Sequence, residues 1–101
     1  MYNLNMAVYL DNERNSFGRM IMCHMIADSL NELHQMADLI GMRRAWFQPR
    51  STPHYDVSLS RRVVAIRYGA IVLDRRPFVM KLKEVRPQLI QEYLATKDHS
   101  P

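Results

Sequence analysis

Apolar residues recur along this chain with two periods, and each period predicts an element. Residues 6–10, Met-Ala-Val-Tyr-Leu, read as a first strand closed by Asp11-Asn12. Residues 12–18 are polar and end in glycine, the composition of a loop. Residues 19–27 are almost continuously apolar, a length that suits a strand buried on both faces. Period-two alternation places Met20, Met22, His24 and Ile26 on one face of it and Ile21, Cys23, Met25 and Ala27 on the other.

A helical period follows. Ser29-Leu30-Asn31-Glu32 has the form of a capping box, in which the serine oxygen accepts from the Glu32 N–H and the glutamate reaches back. Leu30, Leu33, Met36, Ala37 and Ile40 then form one apolar face, and Gly41 can supply the left-handed residue that ends the helix. His34 falls on the flank of that face and reads as a surface residue. Residues 42–48, with Ala45-Trp46-Phe47, read as a short strand, with the aromatic pair packed in the core. Residues 49–53 form a proline-bounded loop. His54-Tyr55-Asp56-Val57 leads into a second helix capped by Asp56 or Ser58, with Leu59, Val63, Ile66 and Ala70 inward and Gly69 at its end. Residues 70–74 read as a strand, 77–85 as a short helix opened by Pro77, and 87–95 as a last helix after the Arg86-Pro87 break.

The order strand–strand–helix–strand–helix–strand–helix predicts one small α/β domain over residues 1–101, in two or three layers. It has a mainly parallel sheet, three or four helices and a tail that frays from about residue 96. An α+β sheet of mixed strand direction is the alternative.

Composition narrows the class of partner. The chain has 101 residues, 48% of them hydrophobic, which is enough for one core of modest stability that a homodimer would reinforce. Its net charge of +4 rests on arginine, with pairs at Arg43-Arg44, Arg61-Arg62 and Arg75-Arg76. The guanidinium fork suits phosphate or carboxylate, so an acidic partner is expected; a solvated basic surface is the plain alternative. Eight methionines suggest an adaptable core. Cys23, the single cysteine, lies in an apolar run and reads as a buried thiol. With no basic-flanked leader and no apolar run near the roughly 20 residues a bilayer needs, a reducing cytoplasm and no membrane are expected.

Three chemistries compete for the polar residues. His24, Asp28, His54 and Asp56 could ligate Zn, Mn or Fe, although their spacing matches no standard metal motif and both aspartates could instead be helix caps. Ser58, Ser60, Arg61 and Arg62 gather donors at a helix start, where backbone N–H groups favour phosphate, so a nucleotide or nucleic acid is expected. His24 or His54, with Asp56, could carry catalysis as general base, since histidine titrates near neutral pH; a histidine on an apolar strand is more often a hydrogen-bonded core residue. His99 lies in the expected frayed tail. These readings converge on a phosphate-ligand or nucleic-acid-binding domain, extended to a metal-dependent phosphodiester hydrolase. The alternative is a non-enzymatic protein-interaction module anchored by Trp46, Phe47, Tyr55 and Arg50, acting on a host complex.

Over about residues 9–71 the chain resembles the family known as domain of unknown function 4031, found in bacteria and phages. The resemblance is carried by Tyr9-Leu10-Asp11, by the run from Gly18 to Asp28, by Glu32-Leu33-His34, by His54-Tyr55-Asp56-Val57-Ser58-Leu59-Ser60-Arg61-Arg62 and by Ala65-Ile66-Arg67-Tyr68-Gly69-Ala70. It implies a shared fold and no particular activity. Family members typically read Asp-Asp after the first strand; Asp11-Asn12 removes one carboxylate here, which counts against a metal role for that loop.

Overall fold

A computed structural model describes residues 7–97. Five strands form one sheet: β1 (Val8–Leu10), β2 (Asn15–Phe17), β3 (Met20–Ala27), β4 (Tyr55–Ser58) and β5 (Ile71–Val72). Three α-helices accompany them: α1 (Leu30–Leu39), α2 (Leu59–Arg67) and α3 (Arg75–Lys97). Helices α1 and α2 both pack against β3, and α1 in turn lies against α3.

Strand β3 organises the sheet. Met25 pairs with Leu10 on one edge and with Tyr55 on the other, so β3 is interior over its second half. Its burial follows: Cys23, Met25, Ile26 and Ala27 are buried, whereas Met20 and Ile21 near its start are exposed. Strands β1 and β2 run antiparallel along successive stretches of the same edge of β3. Between the pairs Leu10–Met25 and Asn15–Met22, residues 11–14 of the outer chain span only Cys23 and His24 of β3. The surplus makes the outer chain bulge at Asp11–Arg14, as extra residues in a ladder must.

The expected α/β domain is present, but its sheet is mixed and mostly antiparallel; β1 with β5 is the one parallel pair among the described residues. Two features turn the sheet this way. Gly18, at φ 62°, closes a tight reversal between β2 and β3, so part of the expected loop is a strand. The long connection after α1 then returns β4 antiparallel to β3.

Other local expectations shift for physical reasons. Ser29 caps α1 as predicted: its Oγ accepts from Glu32 N at 3.2 Å. The Glu32 carboxylate, however, accepts from Ser29 Oγ at 2.8 Å and from Ala7 N at 2.6 Å, so the cap also ties β1 to α1. The stretch 42–48 is no strand. Arg44–Trp46 is a 3₁₀ turn, followed by a single bridge between Gln48 and His54. Phe47 is partly buried against the core, but Trp46 is 43% exposed rather than packed within it.

Ser58, not Asp56, caps α2. The inward face of α2 carries Ala65, with Val64 and Tyr68 packed against the core beside it, whereas Val63 and Ile66 are exposed. The two expected C-terminal helices are one. Pro87 forfeits a single backbone bond, and the stripe Phe78, Leu82, Val85, Leu89, Tyr93 runs unbroken past it. The start of that helix at Arg75 and the single pair β5 replace a longer strand at 70–74. Met6 of the expected first strand, His99 and most of the expected frayed tail lie outside the described residues; Thr96 and Lys97 are helical.

Candidate metal centre

The strand register builds the site. His24 of β3 sits directly opposite Asp56 of β4, and Met22 opposite Ser58. On the other edge the Asp11 N–H donates to His24 O at 3.1 Å, so Asp11 of the bulge, His24 of β3 and Asp56 of β4 form a row across the sheet. His54 enters β4 after the buried Thr52-Pro53 pair, locked by its two-bond bridge to Gln48.

Three side chains converge. Asp56 Oδ1 lies 3.8 Å from His24 Nε2 and 3.4 Å from His54 Nε2. One ligand atom from each of the three residues falls within 4.8 Å of the others. The outer atom of each is held by a different group. His24 Nδ1 lies 2.7 Å from Asp11 Oδ2, His54 Nδ1 lies 2.7 Å from Thr52 O, and Asp56 Oδ2 accepts from Gln48 Nε2 at 2.8 Å.

This arrangement fixes the tautomers. A carboxylate and a carbonyl can only accept, so each neutral ring carries its proton on Nδ1 and presents the lone pair of Nε2 inward. Asp56 Oδ1 is shut off from solvent and makes no hydrogen bond. Three lone pairs therefore face one point with no proton among them, an arrangement that costs energy until a cation or a proton occupies it. A metal at about 2 Å from each ligand needs ligand atoms roughly 3.3 Å apart, so a small closing movement would suffice. Support of each imidazole from behind by a carboxylate or carbonyl is also how metal-binding histidines are held.

The electrostatics agree. The Asp11 hydrogen bond holds His24 above its ordinary pKa of 6.5 against the opposing effect of burial, and the charges of Asp11, Asp56 and Glu13 add to it. Side-chain exposures of 37% for His24, 21% for His54 and 33% for Asp56 put the cluster near the surface, although Asp56 Oδ1 itself is enclosed. Of the three, Asp56 also lines a cleft of about 470 Å³. Met20, Met22, Met42 and Trp46 form its apolar lining; Gln48, Asp56, Ser58 and Arg61 are its polar groups.

The predicted residues are sorted by this geometry. His24, His54 and Asp56 come together. Asp28 does not: it lies outside the group, where its N–H donates to Ala7 O and its carboxylate interacts with Tyr9. The expected phosphate cluster is divided. Ser58 Oγ is occupied as the α2 cap, accepting from Arg61 N at 3.4 Å, and lies 3.3 Å from Ser60 Oγ. Arg61 lines the cleft, whereas Arg62 points to the Asp11 bulge, donating to Asn12 Oδ1 at 2.7 Å and approaching Asp11 O at 3.5 Å. His34 is no free surface residue: its Nδ1 lies 2.8 Å from Tyr55 Oη, and Phe47 packs edge-on against its ring. Cys23 is 1% exposed, and burial pushes its thiol up to about 11, as expected of a core cysteine.

Sequence reasoning missed Asp11, Gln48 and Thr52. Only Asp11 left a signal, as a lone carboxylate at the end of a buried strand; it is 2% exposed, a burial that an aspartate rarely has without partners.

The fold and this centre define a small α/β domain with a two-histidine, one-carboxylate cluster at a strand–helix junction. The chain belongs to the family described as protein of unknown function (DUF4031), whose model matches residues 8–85. No curated protein and no solved structure matches it. Among the described residues, no helix is long and apolar enough to cross a membrane.

Proposed function

We propose that this domain binds one divalent metal, Zn or Mn, through His24 Nε2, His54 Nε2 and Asp56 Oδ1, and uses it to hydrolyse a phosphodiester. The observation that carries the reading is the Asp56 oxygen, buried and unpartnered between two imidazoles whose lone pairs are aimed at it. Two imidazoles and one carboxylate suit Zn, Mn or Fe, and three protein ligands leave positions for water and substrate.

The chemistry needs few further groups. When bound, the metal held by His24, His54 and Asp56 would acidify a water and screen the charge on a phosphoryl oxygen. Water would add to phosphorus and give up a proton, the ester P–O bond would break, and the departing alkoxide would take up that proton, giving a phosphomonoester and an alcohol. Arg61, which lines the cleft, would bind a phosphate oxygen. Asp11 and His24 alone would make an acid–base pair without metal, a second reading favoured by their 2.7 Å contact.

The test is hydrolysis of bis(4-nitrophenyl) phosphate by protein loaded with Zn or Mn and by chelator-treated protein. Metal-dependent release that is lost in His54→Ala supports the proposal. Release that survives chelation favours the acid–base pair, and no release with metal bound overturns the hydrolase reading.

A further inference from the structure

Trp46 is the chain's only tryptophan, and the fold leaves it 43% exposed on a three-residue 3₁₀ turn. Two guanidinium groups attend its ring, Arg61 at 5.3 Å and Arg43 at 6.0 Å from the centroid. Arg44 beside them is paired with Asp38 at 3.2 Å, but among the described residues neither Arg43 nor Arg61 is in an ion pair. Among the described residues the Arg61 guanidinium makes one hydrogen bond, a long one of 3.4 Å to Gly41 O. Arg61, in no ion pair among the described residues, and the half-exposed Trp46 ring thus border the same cleft, while Arg43 lies over the ring without lining it.

The rest of the cleft adds three thioethers, which conform to flat rings and make favourable contacts with them. Its volume of about 470 Å³ is that of a small-ligand site and too small for a duplex. Asp56 belongs both to this cleft and to the candidate metal cluster, so a ligand seated here lies beside that cluster. The cleft therefore asks for a flat aromatic group joined to an anion. An aromatic base supplies the first through stacking, which tolerates any base, and a phosphate supplies the second.

We infer that this cleft holds the unpaired base of a nucleotide against Trp46, with its phosphate between Arg61 and the metal centre. The placement of the phosphate rests on the metal reading above; the base site stands on Trp46, the methionines and the two arginines. A protein acting on such a ligand takes mononucleotides or single-stranded ends and leaves paired bases alone, because a paired base cannot enter so confined a space.

The single tryptophan makes the test direct. Its emission is followed while adenosine monophosphate, ribose 5-phosphate or adenosine is added to Zn-loaded and to metal-free protein, with metal content measured on the same samples. Saturable quenching by the nucleotide, at least tenfold tighter than by either fragment, is expected. Arg61→Ala and Arg43→Ala should each weaken it severalfold, with folding checked by circular dichroism. Ribose 5-phosphate binding as tightly as the nucleotide, or no saturable quenching at all, overturns the inference. Metal uptake without nucleotide preference sinks this inference alone. Arginine-dependent quenching in a protein that takes up no metal supports the base site and sinks the hydrolase reading.

Discussion

Asp11 grips His24 at two points. One carboxylate oxygen accepts from the His24 backbone N–H at 2.9 Å, and the other faces the ring Nδ1 at 2.7 Å. The bulge that places Asp11 beside β3 thus fixes the position and the tautomer of the histidine together. Asp11→Asn keeps an oxygen for the backbone but removes the charge behind the ring. Metal affinity should fall about 10- to 100-fold, the usual effect of losing such support. A competition titration against a chromogenic chelator measures it, and unchanged affinity would show that Asp11 serves only the fold.

The pH dependence follows from the raised pKa of His24. A folded-state pKa above the ordinary 6.5 means that the metal-free protein gains stability from the protonated ring at low pH. That gain is fully present below 6.5 and is lost as pH rises through the higher folded value. Metal competes with the same proton, so its affinity should climb by about tenfold per pH unit across that range and level off above it. Histidine NMR titration and metal titration at several pH values check both halves. A metal affinity flat across the window would separate His24 from the centre.

Neighbouring arginines should behave differently. Arg62 pins the Asp11-Asn12 turn through Asn12 Oδ1 and Asp11 O, whereas Arg61 faces the cleft. Arg62→Ala should therefore weaken metal binding severalfold, while Arg61→Ala should leave it unaltered and weaken phosphate binding. Isothermal titration of each variant with Zn and with inorganic phosphate decides the matter. Equal effects of the two substitutions would return them to one cluster.

Ser29 offers a test of the scaffold itself. Its Oγ accepts from Glu32 N and donates to Glu32 Oε1, so Ser29→Ala should cost about 1 kcal/mol of stability. Urea denaturation is the measurement. A larger loss would mean that the Glu32 carboxylate also lets go of Ala7 N, uncoupling β1 from α1.

Local signals carried much of this architecture. The α1 cap, its apolar face and the β3 alternation were all legible because each depends on residues a few positions apart. The same alternation placed His24 with Met20 and Met22; the two methionines line the cleft, and His24 joins the cluster whose Asp56 lines it too. Strand direction was not legible, since it depends on the Gly18 reversal and on a long return after α1. The inner face of α2 misled because the helix is turned so that Val64, Ala65 and Tyr68 meet the core and Val63 and Ile66 do not. His24, His54 and Asp56 could be nominated by type, but their convergence is a matter of register between distant strands. Their supports, Asp11, Gln48 and Thr52 O, are ordinary residues until the fold sets them behind the rings.

The central claim is that His24, His54 and Asp56 hold a metal ion. Equilibrium dialysis of the purified chain against Zn or Mn, followed by elemental analysis, tests it most directly. The account predicts one ion per chain, a higher melting temperature in its presence by mass action, and loss of both in His24→Ala, His54→Ala and Asp56→Ala. A folded protein that takes up no metal, or that binds it equally well after all three substitutions, would contradict it.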